Sequence, residues 1–406
     1  MILGPLDGLG TFAKALKARC PTIEHLYISS HRCSEWVNRV VSSLIRSLSS
    51  LRTISCMDVT CDSQTLKYLS SLPFLQSLDM HLSDGLAQGS FLGASSDILH
   101  FLVMRHLRIS IGSIADAGEF LQVTSSSSVL KSLSIAYDDI VPTPEQLHNV
   151  LAVVQWSAFH DTLTTFALQD NVELDEDSPP LYSLDAHTPL LQCQNLEHIL
   201  IDILYGHARI NNSNLKKMAL AWPCLCHISL CPYYHAHLWH SKANLRGLNY
   251  LGQHCHSLQS VSLQFNVSTP ATAMHPDKGI SCESLTQLDV SCSHVSDPLT
   301  VTTFLADVFP KLKLHYGYFI RPTLPGPRTS LDFGYSLSKD KQSLEFIAMG
   351  NVVDMLKAMR QEWSQSLTNP NVHIQPHLQL KQLKKFSMQS VNHHLQTVTE
   401  SIEVMV

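Results

Sequence analysis

The densest run of residues that could do chemistry is CPCLCHISLCPYYHAHLWH, which holds Cys224, Cys226, His227, Cys231, His235, His237 and His240. Thiolates and imidazoles paired at close spacing, with a second pair converging on the first, are what a tetrahedral zinc site requires. The same run carries Leu225, Ile228 and Leu230 at apolar spacings that suit a strand. In a strand successive side chains point to opposite sides, so Cys226 is sent toward the interior and His227 to the other face. His235, His237 and His240 fall in the turn that follows. Packing and solvation account for the run, so no metal and no other cofactor is expected. His254 and His256, on either side of Cys255, read in the same way, as a helix end and its turn.

Other chemistries find little support. Ser, His and Asp are abundant, but no GxSxG elbow or paired-carboxylate phrase organises them, and neither GxGxxG nor GxxxxGK(S/T) occurs. Asp138, Asp139 and the acids from Glu173 to Asp177 read as solvated loop residues, and the chain is expected not to be an enzyme. Lys and Arg total 28 against 34 Asp and Glu, a net charge of −6, and Lys216-Lys217 and Lys384-Lys385 are isolated pairs. A nucleic-acid binder needs a clustered basic surface to displace counterions, so no nucleic-acid partner is expected. No apolar run reaches the roughly 18 residues that a membrane span needs. The opening MILGPLDGLGTF lacks a basic leader and a sustained apolar core, which argues against a secretory signal. Eleven scattered cysteines suit reduced thiols used as small apolar fillers, and the expected location is intracellular, in cytoplasm or nucleus.

What must position these residues is a repeat. An apolar residue, two others, an apolar residue, one other and a third apolar residue recur at Ile23-Leu26-Ile28, Leu51-Ile54-Cys56, Leu75-Leu78-Met80 and Met104-Leu107-Ile109. The pattern continues at Leu130-Leu133-Ile135, Leu163-Phe166-Leu168, Leu196-Ile199-Ile201 and Leu225-Ile228-Leu230. Leu258-Val261-Leu263, Leu285-Leu288-Val290 and Phe309-Leu312-Leu314 follow, with weaker copies at Leu344 and Leu383. Successive copies begin 24 to 39 residues apart, so the spacing rather than any single match carries the signal. Between copies lie amphipathic stretches: Trp36, Val37, Val40, Val41, Leu44, Ile45 and Leu48 form one, and Ser63–Ser71, Pro144–Trp156, Asn244–His254 and Leu299–Phe309 are others. Thr143 before Pro144 and Glu145 is the expected cap of the third. The unit is strand, turn, helix, turn, which predicts an α/β leucine-rich-repeat solenoid, curved, with parallel strands on the concave side and helices on the convex side.

Residues 1–320 are expected to form about 11 units, and residues 321–406 an irregular C-terminal part with long loops around Arg321–Lys341 and Ser364–Pro376. An acidic, proline-bearing loop is predicted over Val172–Pro189, and a helix over Val352–Trp363. Strand alternation places a neutral, hydrogen-bonding set on the concave face. Among these, His25, Tyr27, Ser77, Asp79, His81, His106, Arg108, His198, Asp202, His227, Gln264, Gln287 and Asp289 are the candidate partner-binding residues. The partner is expected to be a protein, since aromatic and arginine side chains anchor such contacts.

Three phrases resemble the leucine-rich-repeat region of fungal F-box proteins: RCPTIEHLYIS at Arg19–Ser29, SSLRTISCMDVTCDSQTLKYLSSLPFLQSLDMHLSDG at Ser49–Gly85 and CHSLQSVSLQ at Cys255–Gln264. The resemblance covers roughly residues 10–320. It implies a target-recognition region of a cullin-RING ubiquitin ligase receptor, in which an F-box docks on a Skp-type adaptor. Because the first repeat begins at Ile23, the preceding residues are too few for that helical module. Skp-type adaptor and cullin are therefore expected as partners only if an F-box lies upstream. The alternative is a stand-alone leucine-rich-repeat binding or inhibitor protein with no ligase role.

Overall fold

The structure is a computed structural model, and it describes residues 9–20, 22–29, 34–82, 99–124, 127, 129–138, 142–170, 184–203, 210–230, 241–267, 281–289, 294–295 and 298–315. In chain order the elements begin with α1 (Leu9–Arg19), β1 (His25–Tyr27), α2 (Glu35–Ile45), β2 (Thr53–Cys61), α3 (Ser63–Ser70) and β3 (Ser77–Leu82). They continue with β4 (His106–Ile111), α4 (Ile114–Thr124), β5 (Ser132–Tyr137), α5 (Pro144–Trp156) and β6 (Thr165–Asp170). A 3₁₀ helix (Leu184–Gln192), β7 (His198–Asp202), α6 (Asn212–Ala221), β8 (His227–Ser229) and α7 (Leu245–His254) come next. The described part ends with β9 (Ser260–Ser262), β10 (Asn266–Val267), β11 (Gln287–Asp289), β12 (His294–Val295), α8 (Pro298–Val308) and β13 (Lys313–His315).

The chain divides into two compact units, Met1–Ile210 with Lys216–His235, and Asn211–Leu215 with Ala236–Val406. In the first unit β1 to β8 pair in chain order, each parallel to the next. Leu26, Ile54, Leu78, Leu107, Leu133, Phe166, Ile199 and Ile228 stand opposite one another, which is the middle apolar position of eight predicted repeats. All eight are buried, and each such side chain contributes about 1.5–3 kcal/mol on leaving water. In the second unit β9, β11 and β13 pair in the same parallel manner, and β10 pairs with β12. With parallel strands joined through helices, the fold is an α/β leucine-rich-repeat solenoid.

The strands are tied at their starts by one recurring device. The N–H groups of Arg52 and Thr53 both donate to the Glu24 carbonyl, and those of Gln76 and Ser77 both donate to Arg52. The same fork runs from Arg105 and His106 to Gln76, from Lys131 and Ser132 to Arg105, and from Thr164 and Thr165 to Lys131. Glu197 and His198 then donate to Thr164, and Cys226 and His227 to Glu197. Every bond in these seven forks is between 2.7 and 3.0 Å. In the second unit Thr286 and Gln287 repeat the fork on Gln259.

Local sequence explains the helices. Ser34, Asp62 and Asn244 cap α2, α3 and α7 by accepting from the N–H groups of Val37, Thr65 and Arg246. Thr143 caps α5 as expected, in a full capping box with Gln146. Val37, Val41, Leu44, Ile45 and Leu48 are buried, whereas Trp36, placed by periodicity on the same stripe, is exposed. It is the second helical residue of α2, one position off the buried face. Neither α4 nor α6 was among the individually named amphipathic segments. Ala117 and Gly118 are buried in α4, and α6 buries only Leu215, Met218 and Ala219, so small or sparse residues hide their apolar stripes.

Two expectations are corrected. Residues 184–189, predicted to belong to a loop, open the 3₁₀ helix, which buries Ala186, His187 and Leu190, while residues 171–183 lie outside the described ones. In the eleventh repeat Leu314, not Leu312, stands opposite Leu288. Phe309 and Leu312 are instead buried in the turn after α8, where the Phe309 N–H donates to Leu305 and the Leu312 N–H to Phe309. A two-residue shift preserves strand parity, so Lys313 and His315 stay in register with Gln287 and Asp289. The loops and helix predicted beyond Arg321, and the copies at Leu344 and Leu383, lie outside the described residues. No helix among the described residues is long and apolar enough to cross a membrane.

Gly247 in α7 illustrates how tightly the second unit is packed. A Cβ there would lie 2.5 Å from Leu215 Cδ1 and 2.8 Å from Asn212 Oδ1. Asn212 cannot retreat freely, since its Oδ1 accepts from the Asn244 N–H and its Nδ2 donates to Asn244 Oδ1. Gly247→Ala is expected to destabilise the protein by about 1–3 kcal/mol, as overpacking does, read from the denaturant or thermal unfolding midpoint.

Candidate functional site

On the side of the sheet away from the apolar ladder, alternation aligns three rows of side chains in the first unit. The first runs through His25, Thr53, Ser77, His106, Ser132, Thr165, His198 and His227. The second runs through Tyr27, Ser55, Asp79, Arg108, Ser134, Ala167, Leu200 and Ser229. A third, from β3 to β7, holds His81, Ser110, Ala136, Gln169 and Asp202. Ten of the thirteen candidate residues therefore share this face. In the second unit Gln287 stands opposite Ser260 and Lys313, and Asp289 opposite Ser262 and His315. The Ser262 hydroxyl donates to Asp289 Oδ2 at 3.3 Å. Gln264 departs from the expectation: it lies beyond the end of β9 and is buried, so it is not presented on an open face.

The rows are joined by a polar network that crosses strands. The Ser55 hydroxyl donates to Asp79 Oδ2 at 2.8 Å, and Arg108 Nε lies 4.0 Å from Asp79 Oδ1. That ion pair is too long to be a hydrogen bond, and both of these atoms are shielded from water. His81 Nδ1 and the Ser110 hydroxyl share a hydrogen bond of 3.3 Å, and Ser110 donates in turn to Asp138 Oδ2 at 3.3 Å. Asp138, read from sequence as a solvated loop acid, is thus half-buried and bound to the face. Asp58 accepts from Ser29 at 3.0 Å. It reaches the face because β2 carries a register shift between Cys56 and Thr60.

Burial governs the charges. It pushes the Asp79 carboxyl above its ordinary value, aided by Asp58 and opposed by the Ser55 hydrogen bond and the Arg108 guanidinium. His106 is held below its ordinary value by burial first, then by Arg105 and Lys131. His198 and His227 stack on adjacent strands, with ring centroids 4.7 Å apart and 9° between planes. Burial and then the His198 neighbour lower the His227 pKa. Parallel stacked rings direct their nitrogen lone pairs side by side, which does not bring them to one tetrahedral ion.

The middle of the face differs from the continuous polar surface expected. Ser110, Ser134, Ala136, Ala167, Leu200 and Ser229 are buried, and three of these six lack a polar side chain. Of the Cys/His run, Cys224, Cys226 and His227 are described; Cys231, His235, His237 and His240 lie outside the described residues. Cys226 Sγ lies 3.5 Å from the Cys224 carbonyl while His227 joins the first row, so the two diverge. No group of three or more metal-capable side chains gathers among the described residues. Cys56, Cys61, Cys193, Cys255 and Cys282 are buried and lie outside any disulfide, and burial pushes the Cys193 thiol up to about 12. Sequence reasoning did not include the network partners Ser55, Ser110 and Asp138 among the candidate binding residues. Only the cross-strand register could have shown that they meet.

No family model matches the chain, and no curated protein matches it. Among solved structures, it is similar to a chain of the yeast Rad7 and Elc1 complex, at 16% identity over 79% of this chain and 87% of that one, with a TM-score of 0.43. It is also similar to a chain of the TLR13–ssRNA13 complex, at 16% identity over 73% of this chain and 46% of that one, with a TM-score of 0.31.

Two outcomes follow from the buried titratable groups. Unfolded His227 takes a proton near its ordinary value while the folded residue resists it, so its contribution to stability is present above that value and is lost as pH falls through the depressed folded pKa. His227→Gln should therefore narrow the loss of thermal stability between pH 7.5 and pH 5 relative to the wild type. Asp79 has the opposite sign: its raised folded pKa means that stability is lost as pH rises through it. Asp79→Asn should compare more favourably with the wild type at pH 7 than at pH 3.5, in paired unfolding curves.

Proposed function

We propose that this chain is a non-enzymatic protein-interaction scaffold that recognises its partner on the strand-lined face of the first unit. The network Ser55–Asp79–Arg108 and His81–Ser110–Asp138 carries the reading. It fixes charged and hydrogen-bonding groups on four adjacent strands, so little side-chain freedom is lost when a partner binds. Tyr27 and Arg108 stand in one row and expose apolar and cationic surface of the kind that anchors protein interfaces. His25, Ser77, His81, His106, His198, Asp202 and His227 complete the surface. Gln287 and Asp289 mark the corresponding surface of the second unit.

The finer reading is the target-recognition region of an F-box-type ubiquitin ligase receptor, and the sequence phrases at Arg19–Ser29 and Ser49–Gly85 support it. A photo-crosslinking residue placed at Tyr27 or His106, compared with one at the exposed helix positions Lys67 or Glu119, tests the scaffold reading. A discrete protein adduct from the first pair alone is expected, with yield falling about tenfold in Arg108→Ala. Equal adducts from both pairs would remove the face from consideration. Co-purification of a Skp-type adaptor and a cullin with the natural full-length product is the outcome expected of the receptor. Their absence from a preparation that still yields the adduct would favour the stand-alone binding protein.

A further inference from the structure

The edge of the sheet where the strands begin carries a second surface, separate from the face. Its positions are set by the forked carbonyls: Glu24, Arg52, Gln76, Arg105, Lys131, Thr164 and Glu197 occupy equivalent places on adjacent rungs. Three of the four consecutive places from Arg52 to Lys131 are cationic. Arg52 is paired with Glu24 at 3.1 Å. Arg105 and Lys131 are exposed and have no ion-pair partner among the described residues. Both lie near enough to His106 to disfavour its proton.

The turns leading into these same strands expose apolar side chains. Phe74 is 52% exposed, Leu102 70% and Val129 38%. Arg52 Cζ lies 5.4 Å from the Phe74 ring centroid, which joins the cationic row to the apolar one. Later repeats lack the combination. Before β6 the turn holds Asp161 and Thr162, and before β7 it holds Asn195, whose Nδ2 donates to the Asp161 carbonyl at 2.7 Å. The paired surface is confined to β2 through β5, with Glu24 at one end and Glu197 beyond the other.

Like charges at adjacent rungs and exposed apolar groups beside them both oppose stability and solubility unless something complementary covers them. We propose that Arg52, Phe74, Leu102, Arg105, Val129 and Lys131 bind a short extended segment of a partner protein in which acidic and apolar side chains alternate. Three inter-strand steps of about 4.8 Å make the surface about 14 Å long, which four or five extended residues span. The acids at either end repel a longer acidic run and so define the segment's extent.

Fluorescence anisotropy with a labelled synthetic peptide that alternates Glu with Leu, of about five residues, tests this. Saturable binding is expected, weakened about tenfold or more by Arg105→Glu with Lys131→Glu and several-fold by Leu102→Ser, and unchanged in Tyr27→Ala. Matched peptides with Lys for Glu, or Ser for Leu, should bind at least about tenfold more weakly. The substituted positions are exposed, and circular dichroism verifies that the variants fold. The proposal fails if the Glu–Leu peptide does not saturate, if either matched peptide or a single-stranded oligothymidylate binds as well, or if the charge-reversed variant binds unchanged. It fails equally if sedimentation shows that the edge is covered by a second copy of the chain. Because none of the proposed edge residues is a cross-linking or substituted position of the face experiment, loss of this proposal leaves the cross-linking result on the face to be judged on its own.

Discussion

Each repeat of the first unit is held to the next by a carbonyl that accepts two consecutive N–H groups at the start of the following strand. Each such bond is worth only about 0.5–1.5 kcal/mol net, but the fork admits one register, and register decides everything above it. It brings Leu26, Ile54, Leu78, Leu107, Leu133, Phe166, Ile199 and Ile228 into a buried line. The same register aligns the polar residues between them on the opposite side. A slip of one residue would exchange the two sets, so core and polar face are specified by a single choice.

That choice has electrostatic consequences. Seating Asp79 among neighbours on a packed face costs solvation, which the Ser55 hydroxyl and the Arg108 charge only partly offset. The 4.0 Å gap between Asp79 and Arg108 leaves the arginine, which is partly exposed, incompletely engaged within the molecule. His227 has a related problem, since burial and the stacked His198 ring both disfavour its charged form. The face is thus not an inert wet surface. It is a fixed pattern of hydrogen-bonding groups whose charges are held at some cost to the fold.

Much of the architecture was legible in the sequence because the apolar triplet is tied to backbone geometry. Ten of the eleven predicted middle positions stand in strands, and α3 and α5 begin where the sequence placed them. The eleventh repeat was misread because Phe309, Leu312 and Leu314 match the apolar triplet, yet the turn after α8 takes the first two and only Leu314 enters the strand. The network was not legible for a different reason. Ser55 meets Asp79, and Ser110 meets Asp138, across 24 and 28 residues of chain, and no local pattern marks such pairs. The irregularity in β2 that brings Asp58 forward is likewise a property of pairing, not of composition. Trp36 shows the converse error, an apolar residue at plausible spacing that the fold leaves outside.

The forked carbonyl has a further meaning for how such a molecule can diversify. Because the bond is made by main chain, the fold makes no demand on the side chain that carries it, and Glu, Arg, Gln, Lys and Thr all serve in the first unit. This is a column of positions that can be rewritten with little effect on folding. New binding preferences could be drafted along it one rung at a time, while the apolar line and the polar network stay as they are.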